Sequence, residues 1–153
     1  VGAASCLGYR IAGAEEAPAA VRATPAAASL YARMGGEPVV TAIANDLIDR
    51  VLADRRLKRS FAGSKIPRIK RLLAEQICAL AGGGCTYSGD SMREVHAGHH
   101  ISEAEFFGMV EKLRATLIAH RVALRERNEL LALLAPMKRD IVESAGSIHA
   151  AER

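Results

Sequence analysis

The stretch IPRIKRLLAEQICALAGGGCTYSGDSMREVHAG, residues 66–98, sets the architecture. Ile66, Ile69, Leu73, Ile77 and Leu80 recur at helical spacing. Pro67 suits the first turn of that helix, where a missing N–H costs nothing. Gly82-Gly83-Gly84 then stops it, and residues 82–90 read as a loop. Ser91–Ala97 has room for barely two turns before Gly98 punctuates again. One imidazole, His96, is thus carried on a short segment among longer amphipathic helices.

The same period runs outward from this stretch. Val40, Ile43, Leu47 and Val51 predict a helix over 38–53, preceded by a short one over Ala27–Met34 that closes at Gly35-Gly36. A basic segment around Arg55–Ser60 leads to Phe61-Ala62-Gly63. Ser102-Glu103-Ala104-Glu105 is a capping box, so a helix begins at 102 or 103, with Phe106, Val110, Leu113 and Leu117 on its buried face. A last helix is expected from about Ala123 to Ser144, with Leu130, Leu134, Met137 and Ile141 on one side and a bend at Pro136. No strand pattern or internal repeat interrupts the series, and the fold class is all-α.

Composition agrees with one folded domain. The chain has 153 residues, half of them apolar and 25% charged, which excludes a wholly disordered protein. No charge-free apolar run approaches the roughly 18 residues of a membrane span. Aromatics make up 4% and Trp is absent, which argues against base stacking and leaves nucleic acid out as a partner. A net charge of +4 specifies no partner by itself. The helical domain is placed at 29–145, between an Ala-rich tail or linker over 1–28 and a C-terminal tail over 146–153. Ala4-Ser5-Cys6 partly matches the end of a bacterial lipoprotein signal, in which the Cys is acylated. The competing reading is an ordinary tail with a free thiol. Membrane attachment enters only through lipidation of Cys6; periplasmic or membrane-anchored placement goes with it, and cytoplasmic placement without it.

Chemistry-bearing motifs are few. His96 and His100 are four apart, but Gly98 breaks the register a zinc pair would need. The triple Gly lacks the Lys-Ser/Thr of a phosphate loop, and no nucleophile elbow occurs. A single His beside apolar helices suits a buried prosthetic group held by one axial ligand. The opposing reading makes His96 a surface or satisfied core residue, and the chain a cofactor-free helical module that docks a basic face on anionic partners. That face lies between residues 55 and 71, which hold eight cations. Cys78 and Cys85 flank the triple Gly. A turn back there would bring their Cα atoms within disulfide reach, about 4.4–6.8 Å. Both the bridge and a buried Cys78 with a free Cys85 stay open.

Ser29-Leu30-Tyr31 with Gly35-Gly36, Arg50-Val51-Leu52-Ala53-Asp54, Phe61-Ala62-Gly63, Gly82-Gly83, Tyr87-Ser88-Gly89, Met92 to Gly98, and Asp140-Ile141-Val142 occur in that order. Together they resemble the group I truncated haemoglobins, the short two-over-two helical globins, the first resembling the family's opening and Arg50 to Asp54 the end of its second helix. The resemblance spans residues 29–143. It implies a two-over-two sandwich around haem b, with iron bound by His96 and diatomic gases (oxygen, nitric oxide, carbon monoxide) as ligands.

The resemblance also assigns positions. Phe61 leans on the macrocycle; Met92, Val95 and Tyr87 lie near it; Phe106, Leu113 and Leu117 close the proximal side. The second ring nitrogen of His96 is expected to donate to a backbone carbonyl of the preceding turn. Arg68 and Arg71 are expected at the propionates. Many relatives carry Tyr and Gln on the distal side, where this chain has Ile48, Ile69 and Leu73, beside Ile77. Gln76 is the nearest polar side chain. A pocket without a donor forfeits a bond of about 1.5–3 kcal/mol, or one to two orders of magnitude in oxygen affinity. Fast oxygen release and ready oxidation to the ferric state are then expected. Nitric oxide dioxygenation, which needs a lasting oxygenated state and an unidentified reductase, and weak peroxidase activity are the alternatives.

Overall fold

The structure, a computed structural model, describes residues 28–143. The readings for residues 1–27, Cys6 among them, and for 144–153 lie outside the described residues. Helices are α1 (Leu30–Met34), α2 (Gly36–Ala53), α3 (Ile66–Leu80), α4 (Met92–His96), α5 (Glu103–Ala119), α6 (Leu124–Leu134) and α7 (Lys138–Ile141), with 3-10 turns at Lys58–Phe61 and Ala135–Met137. Among the described residues there is no strand, and no helix is long and apolar enough to cross a membrane.

The centre of the fold is α2. Its Val40, Ile43, Ala44, Leu47, Ile48 and Val51 are buried. Steps of three and four residues place all six on one face. That face packs on α3 and α5, where Ile77, Leu113 and Leu117 meet it. Leu130 of α6 and Leu30 and Met34 of α1 complete the cluster. Lys112 of α5 reaches Asp54 at the end of α2, 3.1 Å away. The Tyr31 N–H donates to the Ala81 carbonyl, 2.9 Å away, pinning α1 to the end of α3.

Helix boundaries depart from the sequence expectation in three places. The first helix starts at Leu30, three residues later than Ala27, because the Ser29 hydroxyl caps it by accepting the Ala32 N–H. The second begins at Gly36 instead of residue 38. Gly35, at φ +111°, ends α1 and opens α2 without an intervening loop, a conformation that favours glycine. The expected helix over 123–144 is three pieces. Pro136 lacks a donor, so the chain tightens into a 3-10 turn at 135–137 before a single turn of α7. The capping box at Ser102 is present as read: the Ser102 hydroxyl accepts the Glu105 N–H, and the Glu105 carboxylate accepts the Ser102 N–H.

Cys78 and Cys85 form a disulfide, with Cα atoms 5.7 Å apart. This decides between the two readings left open by sequence. The bridge ties α3 to the loop that leads to α4. A second tie lies further along: Glu75 accepts from the Ser88 N–H at 3.0 Å and from its hydroxyl at 2.6 Å. Gly83 fits under the bridge because it has no side chain. A Cβ there would stand 2.5 Å from Cys78 Sγ and 2.7 Å from the Tyr31 ring.

Two outcomes follow for measurement. Gly83→Ala should lower stability by about 1–3 kcal/mol through overpacking, read as a lower urea midpoint; an unchanged midpoint contradicts the close approach. Mass spectrometry after alkylation should find Cys78 and Cys85 unmodified without reductant and both modified with it. Both modified without reductant removes the bridge.

Candidate functional site

Burial is uneven across the helices, and that unevenness marks the site. On α3 only Ile77 and Cys78 are buried; Ile69, Leu72, Leu73 and Leu80 are half-buried despite forming an apolar stripe. On α4 no residue is buried, and α7 likewise has none. Met92, Phe106, Met109, Met137 and Ile141 are all half-buried. Apolar side chains of α3, α4, α5 and α7 therefore keep surface unburied that the α2-centred core does not take. Such a set is what an apolar cofactor would complete.

His96 ends α4. Ser91 caps this one-and-a-half-turn helix with a full capping box to Glu94, which explains why five residues hold helical form. The ring Nδ1 of His96 stands 2.7 Å from the Met92 carbonyl oxygen. A carbonyl only accepts, so the proton sits on Nδ1 and the lone pair on Nε2. Burial pushes the pKa of this ring below its ordinary value; the carbonyl bond opposes that, and His99 adds to it. A neutral imidazole with one nitrogen engaged and one open is the donor a haem iron takes. The donor set and the half-buried apolar surface together fit a haem.

The other sequence-predicted residues fall into groups. Ile48, Ile77 and Leu113 are core residues, at 1%, 0% and 6% exposure. Phe61 and Leu73 are half-buried and pack against that core. Ile69, Met92 and Phe106 are half-buried, and Val95 is exposed. The Phe106 ring meets Phe107 edge-on at 5.8 Å. Tyr87 is half-buried; burial, with Asp90 and Glu75 nearby, raises its pKa, while Arg68 lowers it. Arg71 is engaged by Glu75 and by the Ser88 hydroxyl. Gln76 is turned toward Met137 Sδ, 3.4 Å away, and Lys70 is paired with Asp49 at 2.6 Å. Two surface hollows, one between α2 and α3 around Asn45 and Pro67 and one around Glu103 and Pro136, do not include His96.

Sequence reasoning missed the polar clasp around the loop after His96. Arg93 of α4 pairs with Asp140 of α7 at 2.7 Å. Glu143 accepts the Gly98 N–H at 2.7 Å and pairs with His100 Nδ1 at 2.9 Å. Arg59 holds the Glu105 carboxylate with two nitrogens, at 2.6 and 2.7 Å. That guanidinium is the main reason the Glu105 pKa falls to about 2. A depressed carboxyl stabilises the fold fully above its unfolded value and loses that contribution as pH falls toward 2. The signal was present as Arg and Glu in the sequence, but no spacing rule joins positions 46 residues apart.

Comparison with known proteins agrees with this geometry. Residues 29–143 match the family model described as bacterial-like globin. A group 1 truncated haemoglobin of Mycolicibacterium paratuberculosis is 32% identical over 114 residues, 74% of this chain and 84% of that one. One from Tetrahymena pyriformis is 27% identical, over 74% of this chain and 94% of that one. The crystal structure of the Tetrahymena pyriformis protein in its Fe(III) form superposes with a TM-score of 0.73 at 26% identity, covering 76% of this chain and all of that one. The 2/2 haemoglobin from Synechococcus, solved with covalently attached haem, gives 0.71 at 25% identity, over 75% of this chain and 98% of that one. The seven helices are thus the two-over-two globin arrangement, and the chain belongs to the bacterial-like globins as a group 1 truncated haemoglobin, a haem protein that binds diatomic gases.

Proposed function

We propose that the chain binds its gas at a haem iron that Nε2 of His96 would hold, with Ile48, Ile69 and Leu73 as the apolar residues that would line the gas pocket. The observation that carries this is the 2.7 Å contact from His96 Nδ1 to the Met92 carbonyl, which leaves the opposite nitrogen as the electron-pair donor. Haem, when bound, supplies the iron that takes the gas. The residues do the rest. The Met92 carbonyl fixes the ring's tautomer and orientation. Phe61, Met92 and Phe106 contribute apolar surface that excludes water. Arg68 is the candidate cation for a propionate, since Arg71 is already engaged by Glu75 and Ser88.

The distal residues set the ligand preference. Ile48, Ile69 and Leu73 have no hydrogen to donate, and the Gln76 amide is turned to Met137. Oxygen, which gains most from a donor, is held less well in this reading than carbon monoxide or nitric oxide. Any cycle that consumes the ferrous state would draw its electrons from an unidentified reductase. The Cys78–Cys85 bridge supports an oxidising compartment, the setting that the Cys6 lipidation reading also requires.

His96→Gly should lose the Soret band of the wild-type complex or shift it, and added imidazole should restore it; an unchanged spectrum contradicts the assignment. Leu73→Gln, close to volume-conserving, should slow oxygen dissociation about ten- to a hundredfold in stopped flow through a new donor. Wild-type dissociation already as slow as in the variant would overturn the apolar-pocket reading.

A further inference from the structure

The geometry points to Arg59 as the positioning residue of the iron ligand: it braces the loop that leaves His96 and so holds the imidazole in place. This rests on the proposed ligation by His96 and deepens it.

Arg59 lies in the 3-10 turn Lys58–Phe61, two residues before Phe61. Besides the two bonds to Glu105, its guanidinium donates to the His99 carbonyl at 3.2 Å and the His100 carbonyl at 2.9 Å. Four acceptors on one rigid planar fork is more than a surface ion pair needs. A lysine ammonium lacks the fork needed to make both Glu105 bonds and span both carbonyls.

The acceptors are where restraint matters. The His99 N–H closes back on the His96 carbonyl at 3.1 Å, so Arg59 grips the turn immediately after the ligand. His100 sits at φ +50°, in the left-handed region, without being glycine. That conformation persists only where its surroundings over-determine it. Arg59 on its carbonyl and Glu143 on its ring do so here. The Glu105 carboxylate that Arg59 holds is also the one that caps α5 at Ser102. One guanidinium thereby joins the turn bearing Phe61, the loop after His96 and the start of α5.

The experiment uses the haem-loaded full chain. Resonance Raman of the ferrous unliganded form reads the iron–imidazole stretch, and transfer of haem to excess apomyoglobin reads how firmly the ligand is held. Arg59→Ala should shift and broaden the stretch and speed haem transfer about three- to tenfold. Arg59→Lys, which keeps the charge, should fall between Ala and wild type, and it carries the test if the Ala variant does not fold. Arg56→Ala removes a neighbouring arginine whose carboxylate bonds go to Asp54 and should leave both readouts at wild type. An unmoved stretch and unchanged transfer in both Arg59 variants overturns the positioning role, as does an equal change in Arg56→Ala. A wild-type spectrum with no iron–imidazole band instead defeats the ligation by His96, and is distinguishable because it does not depend on Arg59.

Discussion

The bond from His96 Nδ1 to the Met92 carbonyl is the constraint on which the site depends. It is made within one short helix, between residues four apart, and needs no distant partner. It specifies a tautomer, an orientation and an open Nε2 in a single contact. Everything else around α4 keeps that helix where it is. Five residues cannot hold a helix by propensity alone. The capping box at Ser91, the ion pair from Arg93 to Asp140, and the Glu143 and Arg59 bonds to the following loop supply what propensity lacks.

The molecule divides its apolar residues between two tasks. The α2 face closes against α3, α5 and α6 and stabilises the fold by ordinary burial. Ile69, Leu72 and Leu73 of α3, Met92 of α4 and Ile141 of α7 stay half-buried, the kind of surface an apolar cofactor covers. On α3 both tasks share one helix: Ile77 goes to the core, while Ile69, Leu72 and Leu73 stay partly open. The Cys78–Cys85 bridge and the Glu75–Ser88 bonds then fasten the loop between α3 and α4. These ties restrict how far the segment bearing His96 can move from α3.

Much of this was legible in the residues. Helical period, the Gly stops and the capping box at Ser102 follow from local chemistry, and the structure keeps them; the second box, at Ser91, emerged only with the structure. A backbone carbonyl of the preceding turn was the partner that the family resemblance implied for the His96 ring, and Met92 supplies it. Boundaries were less so: Ser29 set the start of α1 through a bond a periodicity count does not weigh, and the bend expected at Pro136 became a break into three pieces. The bridge between Cys78 and Cys85 stayed undecided until the turn at Gly83 was seen. The Arg59 and Glu143 contacts were out of reach, since they join parts of the chain that only tertiary packing brings together.

A crystal structure of the haem-loaded chain, with anomalous scattering collected at the iron edge, tests the central claim most directly. The account predicts an iron peak at bonding distance from Nε2 of His96, with Nδ1 still on the Met92 carbonyl. An iron peak bound by another residue, or a His96 ring turned into solvent, would contradict it.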